Sequence, residues 1–165
     1  MVIGSAGSTE KAEYLVEELG FDSAINYRDG QITEQLAELA PGGIDVFFDT
    51  VGGPQFEAAV RAAAPHARFA LCGALAGQID GGDGGFPRLD IMTAIVKQLS
   101  IRPFSTLHTP EQVSVWETRY GRWLADGKLV FPHTVIDGGL DAAPAALDAL
   151  LQGRYRGNVL IRMAP

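Results

Sequence analysis

Short apolar runs alternate along this chain with segments whose apolar positions repeat at helical spacing. The pattern is sharpest at 44–53, Ile-Asp-Val-Phe-Phe-Asp-Thr-Val-Gly-Gly. Val46, Phe47 and Phe48 stand between two acids, which reads as a short strand buried on both faces. Thr50 to Gly53 then turns the chain, and Pro54 suits the first position of a helix. A buried parallel strand that feeds a helix through a Gly-rich turn puts polar groups at the carboxyl end of a sheet. Open α/β folds bind ligands there.

The same unit recurs on either side. Residues 1–6 read as a strand, and Ser8 caps a helix over 9–19 that Gly20 stops. A strand is expected at 23–27, a helix at 32–40, a helix at 54–64 and a buried strand at 68–72. Gly81-Gly82-Asp83-Gly84-Gly85 has no core-forming pattern and reads as a flexible loop. Beyond it come a helix at 89–99 and a strand at 100–104, where Pro103 points to a sheet edge or strand end. Thr109-Pro110-Glu111-Gln112 is a capping-box helix start. Trp116, Tyr120 and Trp123 follow at helical spacing, as core or interface. Residues 130–136 can be extended, 142–151 form a last helix, and 158–163 a last strand. Strand and helix in alternation imply a mostly parallel, doubly wound sheet with helices on both faces.

Composition narrows the function classes. The net charge of −7 argues against nucleic acid or an anionic membrane surface as partner. Cys72 is the single cysteine, and His66, His108 and His133 are scattered, so no metal-ligand spacing is present. With no signal peptide and no apolar run of membrane length, a cytoplasmic protein is expected.

Several short motifs, taken in order, carry a resemblance. They are Ser5-Ala6-Gly7-Ser8-Thr9-Glu10-Lys11, Ile25-Asn26-Tyr27, Phe48-Asp49-Thr50-Val51-Gly52-Gly53, Cys72-Gly73-Ala74 and Gly157-Asn158-Val159. Together the 165 residues resemble the zinc-independent medium-chain dehydrogenase/reductases, in the prostaglandin reductase, alkenal/one oxidoreductase and curcumin reductase branch. Members of that branch join a GroES-like catalytic domain to a Rossmann cofactor domain. The resemblance covers the second, so residues 1–165 are expected to form a single, incomplete Rossmann-like domain. The family's first strand and its glycine-rich loop would precede Met1, and no G-x-G-x-x-G opens a helix here. Autonomous catalysis is not expected of this piece.

The first strand ends in small residues, without the acid that binds a ribose 2′-hydroxyl in NAD-specific domains. Ser5, Gly7 and Ser8 leave room for a 2′-phosphate, and Lys11 can neutralise it beside the helix N-terminus. A solvated surface lysine is the competing reading. The resemblance implies that Lys11 and Tyr27 flank the 2′-phosphate of NADP(H). It implies cofactor contacts at Thr50, where the family usually has Asn, and at Cys72, Gly73 and Ala74 beside the nicotinamide ribose. It adds Phe104, Ser105 and Thr106 at the carboxamide. Cys72 has no basic neighbour in sequence and reads as an inert thiol. Val96 stands where several members have a tyrosine, so no proton donor is named, and Tyr155 with Gly157-Asn158 replaces another cofactor contact.

The implied function is the NADPH-binding domain of an oxidoreductase that reduces the C=C bond of enones and alkenals. The alternatives are a non-catalytic dinucleotide-binding fragment and a quinone reductase domain. The resemblance also implies a homodimer through the edge strand at 100–104. In the order 3-2-1-4-5-6, the absent strand one lies between the strands at 2–5 and 45–49. Unpaired buried backbone there costs about 1–3 kcal/mol per group. Those strands are therefore expected to pair directly, or to receive a segment of another chain, with 158–163 as candidate.

Overall fold

All strand pairings among the described residues are parallel. Parallel neighbours need crossover connections, and the alternating helices supply them. The computed structural model describes residues 1–79 and 87–163. The loop expected at Gly81 to Gly85 lies outside them. The elements run β1 (Ile3–Ala6), α1 (Thr9–Glu17), β2 (Ser23–Asn26), a 3-10 turn (Tyr27–Asp29), α2 (Ile32–Leu39), β3 (Ile44–Asp49), α3 (Gly53–Ala62) and β4 (Ala63–Leu71). Then come α4 (Leu75–Ile79), α5 (Ile91–Val96), β5 (Ser100–Pro103), α6 (Pro110–Ala125), β6 (His133–Asp137), a 3-10 turn (Gly139–Ala142), α7 (Ala143–Leu151) and β7 (Asn158–Arg162). They divide into two compact units, Met1–Leu107 and His108–Pro165.

The first unit holds two sheets, β1-β2 and β3-β4-β5. Its main core lies on β4, where Phe69 meets Phe56, Val60, Ala63 and Ala67. Phe47 of β3 approaches Phe69 with ring centroids 5.2 Å apart. A second cluster joins Ile25, Leu36 and Ala58, with Ile3 and Ile44 packed against it. It draws on both sheets and on α2 and α3, and so ties the sheets together through side chains.

Two expectations about this sheet are corrected. β1 and β3 do not pair, and within this chain β7 pairs with β6. β3 is also not buried on both faces: Asp45, Val46 and Phe48 are exposed. The two have separate causes. β3 has a ladder partner only on its β4 side, and the cost of an unmade hydrogen bond applies to buried groups and not to solvated ones. Val46 and Phe48 lie two residues apart on one face of the strand, and that face is largely exposed.

Local chemistry sets the element ends. Ser8 Oγ accepts from the Lys11 amide (3.3 Å) and starts α1. At α6 both arms of the capping box form: Thr109 N donates to Gln112 Oε1 (2.9 Å) and Gln112 N to Thr109 Oγ1 (3.3 Å). Asp90 caps α5. The Thr93 hydroxyl and then its amide donate to the Asp90 carboxylate and hold it below the usual carboxylate range. β4 begins at Ala63, ahead of the expected Arg68. Its register against β3 shifts between Ile44 and Val46, and His66 in that stretch takes a φ of 65°. Two alanines and a proline carry no strand signal, which is why the early part was hidden.

In the second unit β6 and β7 pair over five residue pairs, and Ala146 and Ala149 of α7 are buried. The aromatic stripe forms along α6: Trp116 lies 5.8 Å from Tyr120 and 5.9 Å from Trp123, ring centroid to centroid. Trp116 is more than half exposed, so the stripe reads as surface more than as core.

Candidate functional site

The carboxyl ends of the five strands in the first unit carry two groups of side chains. The first group is built on β1 and β2. β1 runs into α1 through Gly7 and Ser8, and β2 runs into the 3-10 turn that starts at Tyr27. A Cβ built on Gly7 would stand 2.7 Å from Tyr27 Oη, so the Tyr27 hydroxyl lies directly against the β1–α1 turn. Asn26 Nδ2 donates to Thr9 Oγ1 (3.5 Å), which ties the two turns together. Gln35 Nε2 donates to the carbonyls of Gly30 (2.6 Å) and Asn26 (3.5 Å) and steadies the second turn. Lys11, half-buried, stands in the first turn of α1. Ser5, Gly7, Ser8, Lys11 and Tyr27 therefore all fall around one turn, where Ser5 to Ser8 contain no acid.

The second group is built on β3, β4 and β5. Asp49, 4% exposed, ends β3. Its Oδ1 accepts from the amides of Val51 (2.9 Å) and Gly52 (2.8 Å), and this holds the turn into α3. The amides of Cys72 (2.7 Å) and Gly73 (3.2 Å) donate to the Asp49 carbonyl. The Thr50 and Val51 carbonyls accept from Leu75 (3.3 Å) and Ala76 (2.9 Å) and start α4. A Cβ on Gly73 would meet the Thr50 carbonyl oxygen at 2.7 Å, so glycine permits the close approach of the two strand ends. Phe104 follows β5. Its amide donates to the Leu71 carbonyl (3.0 Å), and its ring lies 6.2 Å from that of Phe48. Thr50, Cys72, Gly73, Ala74 and Phe104 are thus brought together. Ser105 and Thr106 sit on the exposed segment beyond, where Ser105 Oγ accepts from the Leu107 amide (3.3 Å).

One contact joins the groups. Ser5 Oγ donates to Gln55 Oε1 (2.5 Å), from the end of β1 to the first turn of α3. Sequence reasoning missed Gln55, Asp49 as the buried anchor of the turn, and Arg28 beside Tyr27. The signal for Asp49 was available, since an Asp before Thr-Val-Gly-Gly suits a side-chain-held turn. Nothing local marks Gln55, whose partner Ser5 comes from β1, or the approach of Arg28 to the β1–α1 turn. An open groove on α6, lined by Val115, Trp116 and Arg119 among others, holds none of the expected residues.

The arrangement suits an extended ligand laid over strand ends, with small residues, backbone groups and one basic corner. A model of the zinc-binding dehydrogenase family matches residues 1–120. The chain belongs to this family. Within it, the chain is 30% identical over 168 residues to the NADPH-dependent curcumin reductase of Escherichia coli, covering 99% of this chain and 48% of that protein. It is 30% identical over 164 residues to the (+)-pulegone reductase of Mentha piperita, covering 99% and 47%. The crystal structure of CurA from Vibrio vulnificus in complex with NADPH superposes with a TM-score of 0.87 at 29% identity, over 99% of this chain and 50% of that one. The chain spans about half the length of the curated relatives it matches. These likenesses establish the Rossmann-like α/β fold and the medium-chain dehydrogenase/reductase kinship. The family's description names zinc, but the residues here do not fit it: Cys72 is alone, and no group of three or more His, Cys, Asp or Glu among the described residues is placed to hold a metal. No described helix is long and apolar enough to cross a membrane.

Proposed function

We propose that the chain is the NADP(H)-binding domain of an oxidoreductase that reduces the C=C bond of enones or alkenals. The observation that carries this reading is the turn after β1, without an acid from Ser5 to Ser8, with the Tyr27 hydroxyl against Gly7 and with Lys11 beside Glu10 in the first helical turn. A nucleotide carrying a 2′-phosphate suits that corner, and one without it gains nothing there. Gly73 and Ala74 are exposed and Cys72 is half-buried at the strand ends, which suits contact with a nicotinamide ribose. When bound, the reduced nicotinamide supplies a hydride for the β-carbon of the acceptor. The part of this chain is to bind and orient. The names of the curcumin and pulegone reductases support an enone as acceptor. No side chain among the described residues is assigned as proton donor, since Val96 is aliphatic.

Titration calorimetry with NADPH and NADH tests the cofactor. Tighter binding of NADPH is expected, and equal or weaker binding would overturn the reading. On the natural protein, loss of reduced-nicotinamide absorbance with an alkenal, against a quinone, tests the acceptor. Faster turnover of the quinone would replace the enone assignment.

The proposal extends to assembly. β5 pairs only with β4, so its outer edge is open, and an open edge invites a second copy. A homodimer is expected by sedimentation. A monomer at high protein concentration would count against pairing through β5.

A further inference from the structure

One face of the β3-β4-β5 sheet is not used by the core. Side chains alternate along each strand, and the row of Phe47, Phe69 and Ile101 packs into the cluster under α3. The opposite face therefore carries Val46, Arg68 and Ser100 in one row and Phe48, Ala70 and Arg102 in the next. Val46 and Phe48 are more than half exposed, Arg68 and Arg102 are exposed, and Ala70 and Ser100 are half-buried. A parallel sheet ordinarily has both faces covered, and by helices. None of these six residues is among the cofactor contacts proposed above. Among the described residues neither guanidinium is paired with an acid. The face itself holds two cations and no carboxylate, in a chain of net charge −7.

We infer that this face is a docking surface for an amphipathic helix of another polypeptide, one with an apolar stripe and carboxylates along one flank. Three strands span about 10 Å between the outer two, which is the width of one helix. A helix laid along β4 would rest on Ala70 and set its apolar stripe against Val46 and Phe48 on the β3 side. Its acids would then stand over Arg68 and Arg102. Those two arginines are offset by two residues along the strands, about 6.6 Å. Carboxylates at i and i+4 of a helix are spaced about 6 Å along its axis, so one such pair meets both guanidiniums. Burial of the exposed apolar side chains supplies the attraction, and the arginines select the charge of the partner.

The test is fluorescence anisotropy with the whole 165-residue chain and a labelled peptide of about 20 residues, long enough to hold a helix. The peptide has a leucine stripe flanked by glutamates at i and i+4. A second peptide has lysines in place of the glutamates, and a labelled single-stranded oligonucleotide is the third probe. The glutamate peptide should bind and the lysine peptide should not. Arg68→Ala and Arg102→Ala should each weaken the glutamate peptide by up to about fivefold, the range of a screened ion pair. Val46→Asp should abolish its binding. These side chains are exposed, so the thermal unfolding midpoint should not move. Arg68→Glu combined with Arg102→Glu should reverse the preference in favour of the lysine peptide, a gain that misfolding cannot produce. Equal binding of the two peptides, binding of neither, or tighter binding of the oligonucleotide overturns the proposal. So does unchanged affinity in both arginine variants or in Val46→Asp. A dimer seen by sedimentation and lost in Val46→Asp would assign the face to a second copy of this chain instead.

Discussion

Phe69→Ala should lower the stability of the chain by about 3–5 kcal/mol, read from denaturant unfolding. Phe69 is 1% exposed and sits on β4, the one strand of its sheet paired on both sides. Its ring meets Phe47 at 5.2 Å and, edge-on, Phe56 at 6.0 Å. Val60, Ala63 and Ala67 close the cluster. A strand held on both edges cannot move inward to fill the space a lost ring leaves, so the cavity cost adds to the transfer cost. Domains of this size have about 5–15 kcal/mol in all, so the variant should lose a large share of its stability. Phe48→Ala is the control. Phe48 is 62% exposed and faces Phe104, so its removal should cost about 1 kcal/mol or less. Equal losses at the two positions would mean that β3 is buried on both faces and that Phe48 is not on an exposed one.

Lys11→Ala should weaken NADPH binding by about ten- to a hundredfold and leave NADH little changed. The ammonium would act where the α1 N-terminus already favours negative charge, and the contact proposed for it is with the 2′-phosphate, which NADH lacks. The lysine amide that bonds Ser8 is backbone and survives the substitution, so the helix cap stays intact. Alanine is also the better helix former, so the loss would not come from α1 unwinding. Circular dichroism should show an unchanged helix content. Raising salt should shrink the gap between the two cofactors in the unsubstituted chain, as expected for an exposed charge contact. A loss shared equally by NADPH and NADH would remove Lys11 from the 2′-phosphate and make it a general determinant of binding or folding.

Much of the fold was legible along the chain because its signals are local. Thr109, Pro110 and Gln112 announce α6 within four residues, and both arms of that box form. Ser8 announces α1 in the same way. The apolar alternation marked each strand, with ends displaced by a few residues. The early part of β4 escaped because Ala63, Ala64 and Pro65 lack strand character and are held by pairing with Ile44 and the His66 amide bond to the Lys97 carbonyl (2.6 Å). The candidate site was half legible. Small residues before a capped helix and a Gly-rich turn after a strand can be seen in sequence. That Tyr27 would lie on Gly7, or Gly73 on Thr50, depends on which strands are neighbours.

By itself, then, the sequence determined the alternation of strands and helices, the helix starts and the absence of an acid after β1, since each depends on residues a few positions apart. Only the tertiary structure decided that β1 and β3 stay unpaired, that Phe48 faces outward while Phe69 is enclosed, and that Arg28 reaches the β1–α1 turn. Those facts turn on long-range neighbours. A strand with apolar residues on both faces reads the same in the middle of a sheet and at its edge. A second ladder partner determines whether its backbone edge is paired, and what packs on each face determines whether its side chains meet protein or water.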